Sequence, residues 1–211
     1  MKKILLIVLI FFLKLSAFAL DNNDNKMLLD SLISRNVDGT YNKKELYVYD
    51  SYGNRVRSES YIWDNLNSSW QGSSKTVSNF DSNRNIILLE SYIWDTSKND
   101  WRVASKTVSD YSDNPNTITK ESYGWDTSKN DWKMASKTVY AYNANRNLVL
   151  LESYAWDTSK NDWKVASKTA YTYDINRKLI LNESYTWDTS KNDWKVASKT
   201  AYTYDTNRFL I

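Results

Sequence analysis

Five glutamates stand in identical settings. Glu59, Glu90, Glu121, Glu152 and Glu183 each open the tripeptide Glu-Ser-Tyr, and a tryptophan follows four residues after each. Paired carboxylates can cleave glycosidic bonds when they lie roughly 5–10 Å apart. Glutamates one repeat apart on a sheet, two strands away, would be about 9.6 Å apart. The distance is permissive, but the chemistry needs one acid and one base in different environments. Five equivalent carboxylates form an array, so they are expected to bond to facing Ser and Thr, and no catalytic residue is assigned.

The tryptophans offer a second kind of chemistry. The octapeptide Trp-Asp-Thr-Ser-Lys-Asn-Asp-Trp occurs four times, and a degenerate copy runs from Trp63 to Trp70. Trp94, Trp101, Trp125, Trp132, Trp156, Trp163, Trp187 and Trp194 are the candidate ligand-binding residues, because indole rings stack on sugars. The same spacing serves to close hairpins and fill a core, which is what regular inward aromatics do in most folds. Between each pair, Asp95, Ser97 and Asn99 alternate as calcium-loop ligands do. The glycine at position six and the glutamate at position twelve are missing, with Lys106 at the latter, so the loop reads as a surface turn.

Composition removes other chemistries. Cysteine and histidine are both absent. That excludes thiol nucleophiles, imidazole bases, disulfides and His/Cys zinc sites. Neither metal nor cofactor is expected. The first residues, MKKILLIVLIFFLKLSAFAL, have a basic start, an apolar run from Ile4 to Leu13 and a small-x-small Ala17-Phe18-Ala19. They read as a secretory signal peptide over 1–19, cleaved before Leu20, and the run is too short for a membrane span. The whole chain carries 28 Lys+Arg against 25 Asp+Glu. The leader holds Lys2, Lys3 and Lys14, so 25 bases remain against 25 acids (28 − 3 = 25). A neutral chain lacks the electrostatic drive for nucleic acid.

Every motif returns after 31 residues. Within the last copy Leu179, Leu181, Glu183, Tyr185 and Trp187 alternate with smaller residues. After the loop, Trp194, Val196, Ser198, Thr200, Tyr202 and Tyr204 alternate with Lys195, Ala197, Lys199, Ala201 and Thr203. A period of two with many aromatic and β-branched residues means strands. Folding about the loop pairs Trp187 with Trp194, Tyr185 with Val196, Glu183 with Ser198 and Leu181 with Thr200. All large residues then share one face. Lysines such as Lys133, Lys137, Lys164 and Lys168 are expected to form a solvated stripe on the other.

The second turn begins as Tyr49-Asp50, followed by Gly53, Asn54 and Arg55. This resembles the YD repeat of Rhs-type bacterial proteins. Later copies replace the glycine by Arg84, Pro115, Arg146, Arg177 and Arg208, and Asn83, Asn145 and Asn176 are expected to supply the left-handed residue instead. The whole chain resembles small exported repeat proteins of Bacteroides-type bacteria, whose domains have unknown function. That resemblance implies export and an all-β fold, and names no activity.

The expected fold is an antiparallel meander of repeated hairpins, twisted or rolled because an uncovered aromatic face would be unusually apolar. A closed barrel is the alternative. The third unit carries Ser109, Thr117 and Thr119 where others have large residues, plus Pro115, and a bend or opening is expected there. Residues 20–55 read as a degenerate repeat or cap and 56–211 as the tandem array. The stop at Ile211, after another turn, reads as a cap or a mid-unit break. The functional expectation is an exported, non-enzymatic binding or adhesion module, in the periplasm or at the cell surface. Its partners would be polysaccharide or another surface protein, with self-association through the sheet edge. A structural element with internal aromatics, and more remotely a glycan-active enzyme, are the alternatives.

Overall fold

The computed structural model describes residues 15–20, 27–111, 116–207 and 209–211, with backbone only for 15–20, 27 and 28. The apolar run of the expected leader, Pro115 and Arg208 lie outside the described residues. The strands are β1 (Leu15–Leu20), β2 (Met27–Arg35), β3 (Tyr41–Tyr49), β4 (Arg55–Asp64), β5 (Ser69–Phe80), β6 (Ile86–Asp95) and β7 (Asp100–Asp110). They continue as β8 (Thr117–Asp126), β9 (Asp131–Tyr142), β10 (Leu148–Asp157), β11 (Asp162–Tyr173), β12 (Leu179–Asp188) and β13 (Asp193–Ala201). Strand order is chain order, an antiparallel meander with β1 first and β13 last. The two ends of that order do not pair, so the closed barrel does not form. All of β1 except Leu20 falls inside the expected leader, and cleavage before Leu20 would remove that part of its pairing with β2.

The chain divides into two units, Met1–Lys106 and Thr107–Ile211. Neither has a conventional core. Among the described residues no hydrophobic side chain is buried, and the buried ones are Glu59, Ser78 and Ser109. Many strand side chains are instead partly covered, and others, such as Ile62 and Val196, are exposed.

The register differs from simple alternation by one residue. Trp187 faces Trp194 and Tyr185 faces Val196, as the sequence predicts, but Glu183 faces Lys199 and Leu181 faces Ala201. Ala197 is an extra residue, a β-bulge. Ser73, Ala135 and Ala166 occupy the same place in β5, β9 and β11. Past the bulge, every side chain changes face. Lys137 and Lys168 thus join the tryptophan face, whereas Lys133 and Lys164 stay on the other side as predicted. The tyrosines near the YD turns also change sides. Tyr171 pairs with Asn182 and Tyr173 with Leu179, which places them opposite the tryptophans rather than on the same face. The sheet therefore has two aromatic stripes, on opposite faces and at opposite ends of the strands.

The YD turns are built on one acceptor. Asp50 Oδ1 accepts the amides of Tyr52 and Asn54, and Asp50 Oδ2 accepts Asn54 Nδ2. Asp81, Asn143 and Asp174 repeat the pattern. The left-handed residue is Gly53 in the first turn (φ 80°), and Arg84, Arg146 and Arg177 in later ones (φ 65°, 62° and 63°). This corrects the expectation that Asn83, Asn145 and Asn176 take that conformation. The Asp or Asn acceptor fixes the turn around the third residue after it, whatever that residue is. In the third unit, β8 is paired with β9 as far as Thr117–Ala141, so no opening occurs on that side.

A left-handed arginine costs about 1–2 kcal/mol in backbone strain, partly offset against glycine by the latter's larger chain entropy. Arg146→Gly and Arg177→Gly should each stabilise the fold by about 0.5–1 kcal/mol. Thermal or urea denaturation reads this directly. A lower midpoint in both variants would mean the arginines contribute more than their strain.

Candidate functional site

The candidate tryptophans meet in pairs at the mouths of the hairpins. Trp94–Trp101, Trp125–Trp132, Trp156–Trp163 and Trp187–Trp194 pack edge to face, with ring centroids 5.0–5.3 Å apart and planes at 79–85°. The degenerate Trp63–Trp70 pair is similar at 5.1 Å and 70°. All ten rings are half-buried. Edge-to-face pairs of this kind contribute about 0.5–1.5 kcal/mol beyond burial.

The four-residue loop that joins each pair is organised by its first aspartate. Asp126 Oδ1 accepts the amides of Ser128 and Lys129 and the Ser128 hydroxyl. Asp95, Asp157 and Asp188 do the same. Asn99, Asn130, Asn161 and Asn192 take the left-handed position before the return strand, a role asparagine fills at small cost. These carboxylates work inside the turn. The Ser hydroxyl bonds, followed by backbone amides, hold Asp126, Asp157 and Asp188 below their ordinary value. In Asp95 the Ser97 hydroxyl again leads.

What joins one hairpin to the next is the lysine moved across by the bulge. Lys137 lies over Tyr154 and Trp163 of the following hairpin, at 5.7 and 5.9 Å. Lys168 lies over Tyr185 and Trp194 at 5.7 and 5.6 Å. Lys44 lies over Tyr61 and Trp70 at 4.4 and 5.3 Å. Lys75 lies over Tyr92 at 4.9 Å. The same ammonium groups reach the glutamates of their own hairpins: Lys75–Glu59 at 3.6 Å, Lys168–Glu152 at 3.5 Å and Lys199–Glu183 at 3.1 Å. Each glutamate also accepts the hydroxyl of the tyrosine two residues on, at 2.7–2.8 Å in the first four copies and 3.4 Å in the last. The glutamates therefore bond to Tyr and Lys, not to the Ser and Thr expected across the strand. The bulge puts lysine where alternation would have put serine.

Local variation changes how tightly a pair sits. A Cβ on Gly72 would overlap the Trp94 ring and approach Trp101 Cη2 to 2.8 Å. Trp94 and Trp101 settle against that strand and reach Tyr61, at 6.3 and 5.7 Å. The equivalent positions hold Val103, Met134, Val165 and Val196.

A second grouping lies at the opposite end of the strands. Asp50, Tyr52, Asn54, Phe80, Asp81 and Arg84 line a depression of about 270 Å³ between the first two YD turns. Tyr52 there is 70% exposed. Sequence reasoning treated Tyr52 only as a spacer in a turn motif. Its signal was an aromatic residue where the other turns have Asn83, Asn145 and Asn176.

No family model matches the chain, and no curated protein matches it. Among solved structures it is similar to a protein of unknown function from Bacteroides fragilis, with a TM-score of 0.53 and 19% identity over 61% of this chain and 91% of that one. Two DUF3836 family proteins are also similar. One from Bacteroides vulgatus has a TM-score of 0.38 and 18% identity, covering 44% of this chain and 91% of its own. One from Parabacteroides distasonis has 0.37 and 15%, covering 47% and 91%. The likeness to the B. fragilis protein is one of fold, in keeping with the expected kinship to Bacteroides proteins of unknown function.

The clamp and the turns make two predictions. Lys168→Ala should cost about 1 kcal/mol and move the Trp194 indole resonance, while Lys164→Ala on the other face should change stability by less than about 0.5 kcal/mol. Equal effects would mean the lysine–aromatic contacts are incidental. The second prediction concerns pH. The loop aspartates stay charged to lower pH folded than unfolded, so the unfolded chain takes up protons first. Their contribution is full above the ordinary 3.8 and lost as pH falls below it. Burial, then the bond to Glu and its charge, push Tyr92, Tyr123 and Tyr154 up to about 12. Unfolded tyrosines ionise near 10, so this contribution is full below about 10 and lost toward about 12. Melting temperature against pH should fall at both ends, with a late tyrosinate absorbance step. A tyrosine titration completed near 10 while the chain stays folded would refute the Tyr–Glu bonds.

Proposed function

We propose that this is an exported, non-enzymatic repeat protein that works as a binding or adhesion module at the cell envelope. Its contacts are with glycans or with another surface protein, made through Trp, Tyr and the exposed loops. One observation carries the reading: five tryptophan pairs sit beside polar loops with their rings partly exposed, and none is fully buried. Half-open indole rings next to hydrogen-bonding turns suit sugar rings, which present C–H faces and rims of hydroxyls. Weak contacts repeated along the chain gain affinity by multivalency. Export rests on the N-terminal segment. The likeness of the turns to Rhs-type YD repeats rests on the Asp acceptor and the Gly53-Asn54-Arg55 sequence.

A structural role is the second reading, and the lysine clamp favours it. The same tryptophans that face solvent also receive Lys137 and Lys168 from the preceding hairpin, so they hold the sheet together. Iodide quenching of tryptophan fluorescence in the chain from Leu20 to Ile211 separates the two. Strong quenching with unchanged circular dichroism is the expected result. Quenching as weak as that of core tryptophans would leave the structural reading in place. Deleting residues 148–178, one repeat, should then lower avidity for a glycan surface by a modest factor while the shortened chain still folds.

A further inference from the structure

We infer that the depression between the first two YD turns is a seat for a single neutral sugar ring. It rests on the glycan reading above but places the contact away from the tryptophan hairpins. Two residues there stand out. Tyr52 is 70% exposed, although large aromatics usually pack. Arg84 occupies a left-handed conformation, φ 65°, at the position glycine fills in the neighbouring turn. Both line the same depression.

The lining selects the ligand class. Tyr52 and Phe80 supply aromatic surface, Arg84 and Asn54 supply donors, and Asp50 and Asp81 supply carboxylate acceptors. The carboxylates are held in place by their own turns: Asp50 by Tyr52 and Asn54, Asp81 by Asn83 and Asn85. Two carboxylates disfavour an anion, and the guanidinium disfavours a cation. A ring with one apolar face and a rim of hydroxyls satisfies both the aromatic surface and the mixed donors and acceptors. At about 270 Å³ the space lies below the roughly 300–1,000 Å³ of pockets for drug-sized ligands, which limits it to one ring. Later turns have Asn83, Asn145 and Asn176 in place of Tyr52, so the seat belongs to the first pair of turns.

The test is saturation-transfer NMR on the chain from Leu20 to Ile211, with the methyl glycosides of glucose, galactose and mannose as probes. At least one should show transfer, and Tyr52→Ala should weaken it about tenfold, as loss of an aromatic platform does. Arg84→Gly is the decisive variant. It should raise the melting temperature, because strain is relieved, and weaken binding at the same time. A variant that merely misfolded could not do both. Lys164→Ala, away from both the seat and the tryptophan pairs, should leave this binding unchanged. Binding that survives both Tyr52→Ala and Arg84→Gly would overturn the seat and leave the tryptophan reading standing. No transfer from any of the three probes would overturn the seat together with the glycan reading on which it rests.

Discussion

A single extra residue per hairpin governs the rest of this structure. With strict alternation, the lysine of each Ser-Lys-Thr would lie on the face opposite the glutamates and tryptophans. The bulge at Ser73, Ala135, Ala166 or Ala197 moves it across. There it meets a carboxylate of its own hairpin as Lys75, Lys168 and Lys199, and aromatic rings of the next as Lys75, Lys137 and Lys168. Each such contact is modest, about 0.5–1 kcal/mol for an exposed cation over a ring. With no buried apolar side chain among the described residues, however, these contacts take the place of a core. The bulge residues are small, which lets the strand kink without a side chain to accommodate.

The arrangement divides labour between the two ends of each strand. At the hairpin mouth, paired indoles and an aspartate-ordered loop fix the register. At the other end, an Asp or Asn acceptor fixes the YD turn, and the tyrosines of that end lie on the opposite face. Neither face is wholly apolar and neither is wholly polar. Repeats of this kind are stabilised chiefly by nearest-neighbour contacts, and the Lys–Tyr/Trp clamp is that contact in chemical form.

Much of this was legible in the residues. The 31-residue period, the strands and the Trp–Trp pairing all follow from spacing and residue type. The bulge did not, because alanine in a strand carries no mark of an extra residue. A usable signal was charge: one more residue between Val196 and Lys199 than between Glu183 and Tyr185 sets the lysine opposite Glu183. The left-handed arginines were missed because asparagine is the usual occupant, whereas here hydrogen bonding to Asp81, Asn143 and Asp174 sets the turn. The seat at Tyr52 and Arg84 was hidden because two adjacent turns form it, and no single motif contains both.

A meander whose described connections are tight turns has a mechanical consequence. Pulled from its two ends, such a sheet loads the hydrogen bonds of the outermost strand one after another rather than all together. It therefore peels instead of shearing. Each 31-residue repeat that comes away releases roughly 100 Å of chain at about 3.3 Å per residue. The sheet would yield at low force and lengthen in equal steps.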